Sequence, residues 1–241
     1  MLIHNSADVK IYFGDASDGI SFQDYHNALT HNGSFTPSRY EHLKQSFGLK
    51  ECIFLRQTHG IDGVVITHST RDIKPFAHEG DFLITNQPDI GLAVLTADCL
   101  PIILYDPTKK VIALAHAGLK GSHAKITSSV IESMKKRFNC HPKQIHAFFG
   151  PSAKWCCYQI GEDIADDLKK DKNSQRYVIE RHNAYFLDLA QFNAVQLEQL
   201  GLHTSTFCFD YNVCTICNSR FNSYRRQHQS AGRQITLVHL R

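Results

Sequence analysis

The alternation of hydrophobic and polar residues predicts a strand and a helix in the first fifty residues. Val9, Ile11 and Phe13 alternate with polar neighbours, which is the period of two expected of a half-buried strand. Residues 36–48 hold a capping threonine, a first-turn proline, apolar residues at helical spacing and a terminal glycine. That arrangement predicts a helix.

Short apolar runs replace any helical period between Glu51 and Ala115. Each run is rich in aliphatic or aromatic residues and is bounded by Gly, Pro, Asp or Asn, as strands are. The runs are CIFLRQ, GVVIT, DFLIT, GLAVLTAD, PIILYD and VIALAHAG. This part of the chain is therefore expected to supply most of a sheet.

Helices and further strands are predicted in the second half. Apolar residues share one helical face from Ser122 to Phe138, which predicts a helix there. Strand IHAFFG, helices around GEDIADDLKK and LAQFNAVQLEQLG, and strands STFCF and QITLVHL follow. Without a linker or a repeat, residues 1–241 are expected to form a single α+β domain, a large mixed β-sheet core flanked by helices.

Composition and net charge indicate which partners and which cellular location to expect. The chain has 241 residues, 42% hydrophobic and 20% charged, which is typical of a globular protein. A net charge of +3 is too weak a bias to indicate nucleic acid or a membrane surface as a partner. The start MLIHNSADVK lacks a signal-peptide layout, so a cytoplasmic location is expected.

Cysteine and histidine are the unusual residues of this composition. Eight cysteines spread over a chain with no signal peptide indicate reduced thiols rather than disulfides. Fifteen histidines matter because imidazole and thiolate are preferred ligands of zinc and copper. A metal site is therefore a hypothesis worth following.

Three segments place a metal-ligand type beside small residues at a strand end. They are QTHG with His59, TADC with Cys99 and AHAG with His116, separated by 40 and 17 residues. These spacings are not those of a zinc finger, so the sheet would have to assemble the site. Taken alone, each histidine is more often a satisfied polar residue than a ligand, and Cys99 is more often a small buried hydrophobe.

Longer motifs carry a resemblance to a known family from about residue 50 to the C-terminus. LRQTHG, GDFLIT, TADCLPIILYDP, HAGLKG and GPSAKWCCYQIG occur in that order, followed by CT, FNSYRR and GR. In these blocks the sequence resembles the laccase-domain or YfiH-like family, also called the polyphenol oxidase or purine nucleoside phosphorylase family. The resemblance implies a YfiH-like fold.

The resemblance also implies a metal site. In that family the corresponding His, Cys and His hold one zinc ion, which implies His59, Cys99 and His116 as the metal ligands and as catalytic residues here. Two imidazoles and one thiolate leave a fourth tetrahedral position open, as a catalytic zinc requires. Copper in the same site is the alternative.

Several cations are candidates for binding phosphate. The family's Trp-Arg is replaced by Leu119-Lys120, which keeps the charge without the bidentate geometry. Lys120 lies near a predicted helix start and is also a candidate catalytic residue. Each of these cations could instead be solvated. The other candidates are Arg56, Arg225, Arg226 and Arg233.

The resemblance implies a purine nucleoside phosphorylase that takes a nucleoside and phosphate. Its substrates would be adenosine, inosine, guanosine and S-methyl-5′-thioadenosine, with adenosine deaminase activity in addition. One alternative is a copper polyphenol oxidase, but the sequence has no His-x-His pair and only Met1 and Met134 as methionines. The other is a peptidoglycan-precursor editing hydrolase with Cys99 as the nucleophile.

Two further cysteine motifs are interpreted as structural. CTIC at 214–217 has the CxxC spacing, yet a closed zinc site would need two more ligands. Cys156 and Cys157 are adjacent in the chain, and such a pair seldom suits one tetrahedral metal. We therefore expect packing roles for both motifs.

Overall fold

The fold is α+β, as predicted, and a computed structural model of the protein describes residues 1–30, 38–68 and 73–241. The helices are α1 Phe22–Thr30, α2 Ser38–Phe47, α3 Leu119–His123, α4 Ile126–Phe138, α5 Glu162–Leu168, α6 Leu189–Gln199 and α7 Tyr224–Gln227. The first seven strands are β1 Leu2–Asn5, β2 Val9–Phe13, β3 Glu51–Ile53, β4 Gly63–Ile66, β5 Phe82–Thr85, β6 Ile90–Thr96 and β7 Leu100–Asp106. The remaining strands are β8 Val111–Ala117, β9 His146–Phe149, β10 Gln159–Ile160, β11 Val178–Arg181, β12 Ala184–Leu187, β13 Phe207–Cys208 and β14 Gln234–Leu240.

The strands of the described ranges divide over two large mixed sheets and a small one. The five-stranded sheet has the order β1-β2-β14-β6-β3, and the six-stranded sheet has the order β13-β9-β7-β8-β5-β4. Pairs β3/β6, β4/β5 and β9/β13 are parallel, and the other pairs of these two sheets are antiparallel. Mixed pairing is therefore confirmed, although the single large sheet expected from the sequence is two sheets.

The two large sheets pack face to face around a shared core. Along β6, Leu92 and Val94 face this core, whereas Ala93 and Leu95 face the opposite side of the sheet. The six-stranded sheet contributes residues such as Leu114 to the same core. Burial on both faces explains why the middle strands are apolar throughout instead of alternating with polar residues.

Helices cover the outer faces of the two sheets. Apolar residues of α4 and α6 pack on the six-stranded sheet, while Leu43 and Phe47 of α2 pack on the five-stranded sheet. The molecule is therefore layered as helix, sheet, sheet and helix. Among the helices of the described ranges, none combines the length and the apolar character needed to cross a bilayer.

Two predicted helices differ in their bounds from the observed ones. The helix expected over residues 122–138 is divided into α3 and α4, because Lys125 adopts φ 64° and cannot continue a right-handed helix. The helix expected over residues 36–48 is confirmed as α2, and Gly48 follows its end at φ 65°. Its predicted cap and first-turn proline lie outside the described residues.

Candidate active site

Two loops that cross from one large sheet to the other meet at the end of β8. His59 lies between β3 and β4, Cys99 lies between β6 and β7, and His116 is the penultimate residue of β8. The ligand atoms of these three side chains lie within 4.8 Å of one another. The structure thus brings together the three residues that the resemblance implied as metal ligands.

Asp81 organises this cluster, and the sequence analysis missed it. One carboxylate oxygen accepts hydrogen bonds from the Thr58 hydroxyl at 2.8 Å and the Gly60 N–H at 2.7 Å. The other accepts from the His59 N–H at 3.0 Å and contacts His116 Nδ1 at 2.8 Å. Burial opposes ionisation, but His116 and these donors outweigh it and lower the pKa of Asp81 to about 2. The signal available in the sequence was the Asp of GDFLIT.

Cys99 and His116 form a charged pair. Burial alone would raise the pKa of Cys99, but His116 and then His59 outweigh it and lower that pKa to about 6. Burial would conversely lower the pKa of His116, but Cys99 and Asp81 raise it to about 9. Between these values the pair is thiolate and imidazolium, and the Asp81 contact directs His116 Nε2 toward the cluster.

The close approach of Cys99 and His59 to Gly118 explains why the AHAG motif ends in glycine. A Cβ atom at this position would lie 2.8 Å from Cys99 Sγ and 3.3 Å from His59 Cδ2. Only glycine therefore lets the turn from β8 to α3 pass this close to both side chains.

Asp98 joins the cluster to the C-terminal segment. Its backbone has φ 86°, an uncommon conformation for a residue other than glycine. Its carboxylate accepts hydrogen bonds from the Thr215 hydroxyl at 2.6 Å, the Ser223 hydroxyl at 3.0 Å and the Arg225 N–H at 2.6 Å. Asp98 thus positions Arg225, a role that the sequence analysis did not assign.

A cavity of about 610 Å³ opens over the cluster. This volume is within the range of small-molecule sites. Aromatic and cationic side chains line it together with the three candidate metal ligands. The lining residues are Gln57, His59, Leu95, Ala97, Asp98, Cys99, His116, Tyr158, Tyr224, Arg225, His228 and Arg233. The two tyrosines and His228 were not predicted, because nothing in their spacing indicates that they meet.

Arg225 and Arg233 are the predicted phosphate-binding residues that line this cavity. The Arg225 guanidinium lies 5.0 Å from the ring centre of Tyr158. Arg233 Nη1 donates to the carbonyl oxygens of Ala231 and Gly232 at 2.8 and 2.9 Å, which fixes the side chain at the cavity wall.

Arg56, Lys120 and Arg226 lie outside the residues that line the cavity. Arg56 Nη1 donates to the carbonyl oxygen of Phe76 at 2.8 Å, and Nη2 lies 3.7 Å from a Glu79 oxygen. Lys120 is exposed in the first turn of α3.

The Arg226 guanidinium is directed at backbone rather than at the cavity. Its two terminal nitrogens donate to the carbonyl oxygens of Thr215, Ile216 and Phe221 at 2.9, 2.6 and 2.5 Å. These bonds hold together the loop that contains CTIC.

The donor set at the cluster fits a single metal ion. A thiolate and two imidazoles are the ligands that Zn²⁺ and Cu²⁺ take, and His116 has its second nitrogen held by a carboxylate, as metal-bound histidines usually have. Within the described part of the chain, no fourth His, Cys, Asp or Glu joins the cluster. His59, Cys99 and His116 could therefore hold a metal with one position left open.

Comparisons with known proteins show which family and which fold this chain resembles. The family model described as "Multi-copper polyphenol oxidoreductase laccase" matches residues 22–241. A purine nucleoside phosphorylase of Clostridium acetobutylicum is 33% identical, covering 95% of this chain and 91% of its own. A protein named adenosine deaminase RL5, from an unknown prokaryotic organism, is 30% identical over 79% of this chain and 76% of its own. The crystal structure of Bacillus licheniformis hypothetical protein YfiH superposes with a TM-score of 0.79 at 24% identity, covering 97% and 93% of the two chains.

Proposed function

Because this chain belongs to the multi-copper polyphenol oxidoreductase laccase family, we propose that it is a zinc-dependent purine nucleoside phosphorylase with adenosine deaminase activity. Its proposed substrates are adenosine, inosine, guanosine and S-methyl-5′-thioadenosine, together with phosphate. The names of the relatives support purine chemistry. The observation that carries the proposal is the cavity in which the His-Cys-His cluster faces aromatic and cationic side chains.

The walls of the cavity suit the two ends of such a substrate. Tyr158 and Tyr224 offer aromatic surface for a purine ring. Arg225 and Arg233 offer positive charge for phosphate. Asp98 holds the Arg225 backbone in place, so that less ordering is needed when phosphate binds.

His59, Cys99 and His116 would hold the zinc ion. When bound there, zinc would supply a Lewis acid with an open coordination position beside the substrate. Asp81 would keep His59 and His116 in position. In phosphorolysis, the arginines would hold phosphate near C1′ while positive charge develops on the sugar. In deamination, the same cavity would place purine C6 beside the cluster.

Zinc rather than copper is part of the proposal. A blue-copper site adds a weak axial ligand, usually Met, to two histidines and a cysteine. Met134 is a fully buried residue of α4 that packs in the helix-covered core, and Met1 is an exposed residue directly before β1. Neither methionine is among the residues that line the cavity.

A second candidate function is a cysteine hydrolase that edits peptidoglycan precursors. The specific observation favouring it is that Cys99, His116 and Asp81 are arranged as nucleophile, base and orienting carboxylate. This candidate uses the same residues without a metal, so removal of the metal separates the two proposals. A thiol hydrolase would keep or gain activity on chelation, whereas the zinc enzyme would lose it.

The test is nucleoside turnover on protein of known metal content. Adenosine and inosine are incubated with and without phosphate, and the products are separated by chromatography. We expect phosphate-dependent release of adenine and hypoxanthine, and phosphate-independent conversion of adenosine to inosine. Cys99→Ala should lose the zinc ion of the His-Cys-His cluster and both activities, while replacement of Cys208, a half-buried cysteine of β13, by Ser should keep them. A zinc-occupied His-Cys-His cluster that releases neither free base nor inosine would overturn the proposal.

A further inference from the structure

Four cysteines from two separate loops converge beside the candidate active site. Cys156 and Cys157 follow β9, and Cys214 and Cys217 follow β13. Their four sulfur atoms all lie within 4.8 Å of one another. The two motifs that the sequence left as separate packing segments are therefore one cluster.

The two loops are held together by hydrogen bonds that do not involve the thiols. Ser152 pairs with Cys214 in a parallel bridge, in which the Ser152 N–H donates to the Val213 carbonyl at 3.1 Å and the Thr215 N–H to the Ser152 carbonyl at 3.0 Å. Lys154 Nζ donates to the Asn212 side-chain oxygen at 2.6 Å. The cysteines are thus brought together by a preformed scaffold.

We propose that these four cysteines bind a second zinc ion, in a closed structural site of the four-thiolate class. Tetrahedral zinc with Zn–S bonds of about 2.3 Å places its sulfurs about 3.8 Å apart. The observed cluster needs a contraction of no more than about 1 Å to reach that geometry. Four thiolates also complete the tetrahedron, which distinguishes this site from the open His-Cys-His cluster.

Neighbouring groups suit the negative charge of such a site. Arg181 Nη2 donates to the Cys156 carbonyl at 3.2 Å. The Lys154 and Arg181 side chains therefore bring positive charge to the same loop.

The position of the cluster gives the zinc ion a role. Tyr158, which follows Cys157 directly, lines the cavity, and Thr215, which follows Cys214 directly, donates to Asp98. Tying the two loops together would fix both residues. The second zinc ion thus stabilises one wall of the cavity and takes no part in the reaction there.

The experiment separates this site from the candidate active site by using the Cys99→Ala variant. After reduction, loading with zinc alone and desalting, we expect one zinc ion per chain, and X-ray absorption should show an all-sulfur shell at about 2.3 Å. Cys99→Ala with Cys217→Ser should lose that ion. Cys217 is exposed, so its replacement should leave the circular dichroism spectrum unchanged. Cys99→Ala with Cys208→Ser is the matched control and should retain the ion.

Trp155 provides a second readout. It is the single tryptophan of the chain and directly precedes Cys156. Cobalt(II) added to metal-free Cys99→Ala should quench its fluorescence with a stoichiometry of one, and the additional Cys217→Ser change should abolish that quenching. The proposal is overturned if reduced Cys99→Ala binds no zinc, or if its shell contains nitrogen or oxygen. A mass decrease showing disulfides among the four cysteines after reduction and zinc loading would also overturn it and identify a redox cluster.

Discussion

A single carboxylate, that of Asp81, holds both the loop of His59 and the ring of His116. It accepts three backbone or hydroxyl hydrogen bonds from Thr58 and Gly60 on one oxygen, and contacts His59 and His116 through the other. Two of the three candidate metal ligands, His59 and His116, are therefore held by a residue outside their own segments. Replacing this carboxylate should affect metal binding and folding together.

We predict that Asp81→Asn weakens zinc binding at the His-Cys-His cluster about 10- to 100-fold, the usual effect of losing a partner of a metal-bound histidine. It should also lower the free energy of unfolding by about 2 to 4 kcal/mol, because buried donors lose an ionised acceptor. Competition with a chromogenic chelator and urea unfolding measure the two effects. The exposed neighbour Asp62→Asn is the control, and equal losses in both variants would contradict this role.

The same carboxylate sets a dependence of stability on pH. The pKa of Asp81 in the folded protein is lowered to about 2 from an ordinary value of 3.8. Its contribution to stability is therefore fully present above the ordinary value and is lost as the pH falls toward 2. Between pH 5 and pH 2, Asp81→Asn should lose less stability than the unchanged protein. Parallel pH profiles of the two proteins would contradict the assignment.

Cys99 should be the most reactive thiol of the metal-free protein. Because its pKa is lowered to about 6 chiefly by His116, alkylation by iodoacetamide should rise with pH to a midpoint near 6. In His116→Gln the positive charge that opposes the effect of burial on the Cys99 pKa is absent. The midpoint of Cys99 alkylation should therefore move toward or above the ordinary thiol value of 9.0. Peptide mapping follows Cys99, with buried Cys52 as the unreactive control. An unchanged midpoint in His116→Gln would refute the charged pair.

At the scale of single residues, the sequence allowed prediction only of those site residues that lie within recognisable motifs. His59, Cys99 and His116 were identified through the family resemblance, and the structure brings them together. Tyr158 and Tyr224 could not be predicted to line one cavity, because the fold, rather than a local spacing, brings two residues 66 positions apart to it. The four-cysteine cluster was missed for the same reason.

At the scale of the element, apolar runs were a reliable guide and helix boundaries were not. The runs from CIFLRQ to VIALAHAG correspond to β3 through β8, because strands covered on both faces must be apolar throughout. The helix predicted over residues 122–138 breaks at Lys125. Periodicity continues across that break, so the apolar pattern carries no sign of it, and no glycine marks the left-handed residue.

The break makes a prediction about Lys125. A non-glycine residue at φ 64° carries a steric cost of about 1 to 2 kcal/mol in the folded protein. Glycine removes this cost, but it also makes the unfolded chain more flexible, which offsets part of the gain in stability. Lys125→Gly should therefore stabilise the protein by about 0.5 to 1 kcal/mol in urea unfolding. Lys136→Gly, at an exposed position inside α4, is the control and should destabilise by about 1 kcal/mol. Destabilisation by both changes would refute the strain at Lys125.

At the scale of the whole molecule, the layered arrangement depends on pairings between distant parts of the chain. The C-terminal strand β14 lies between β2 and β6, so residues more than 220 positions apart are adjacent, as Val238 and Ile11 are. No local pattern encodes that partner choice, which is why an α+β class was predictable and two facing sheets were not. The candidate active site lies where the chain crosses between those sheets.

A shared inner core should make the two large sheets unfold together. Leu92 of the five-stranded sheet and Leu114 of the six-stranded sheet belong to one buried cluster, so exposing one inner face also exposes the other. Two buried cysteines report on opposite sides of this core: Cys52 beneath α2 and Cys140 among the residues beneath α4.

Along a urea gradient, pulse labelling should modify both cysteines at the same midpoint. Leu92→Ala should lower that common midpoint, because it removes about 2 to 5 kcal/mol of stability. Ile3 is half-exposed, so Ile3→Ala is the control and should change the midpoint little. Because the shared core is the reason for the coupling, separate midpoints for Cys52 and Cys140 would show that each sheet is stabilised by its own helices instead.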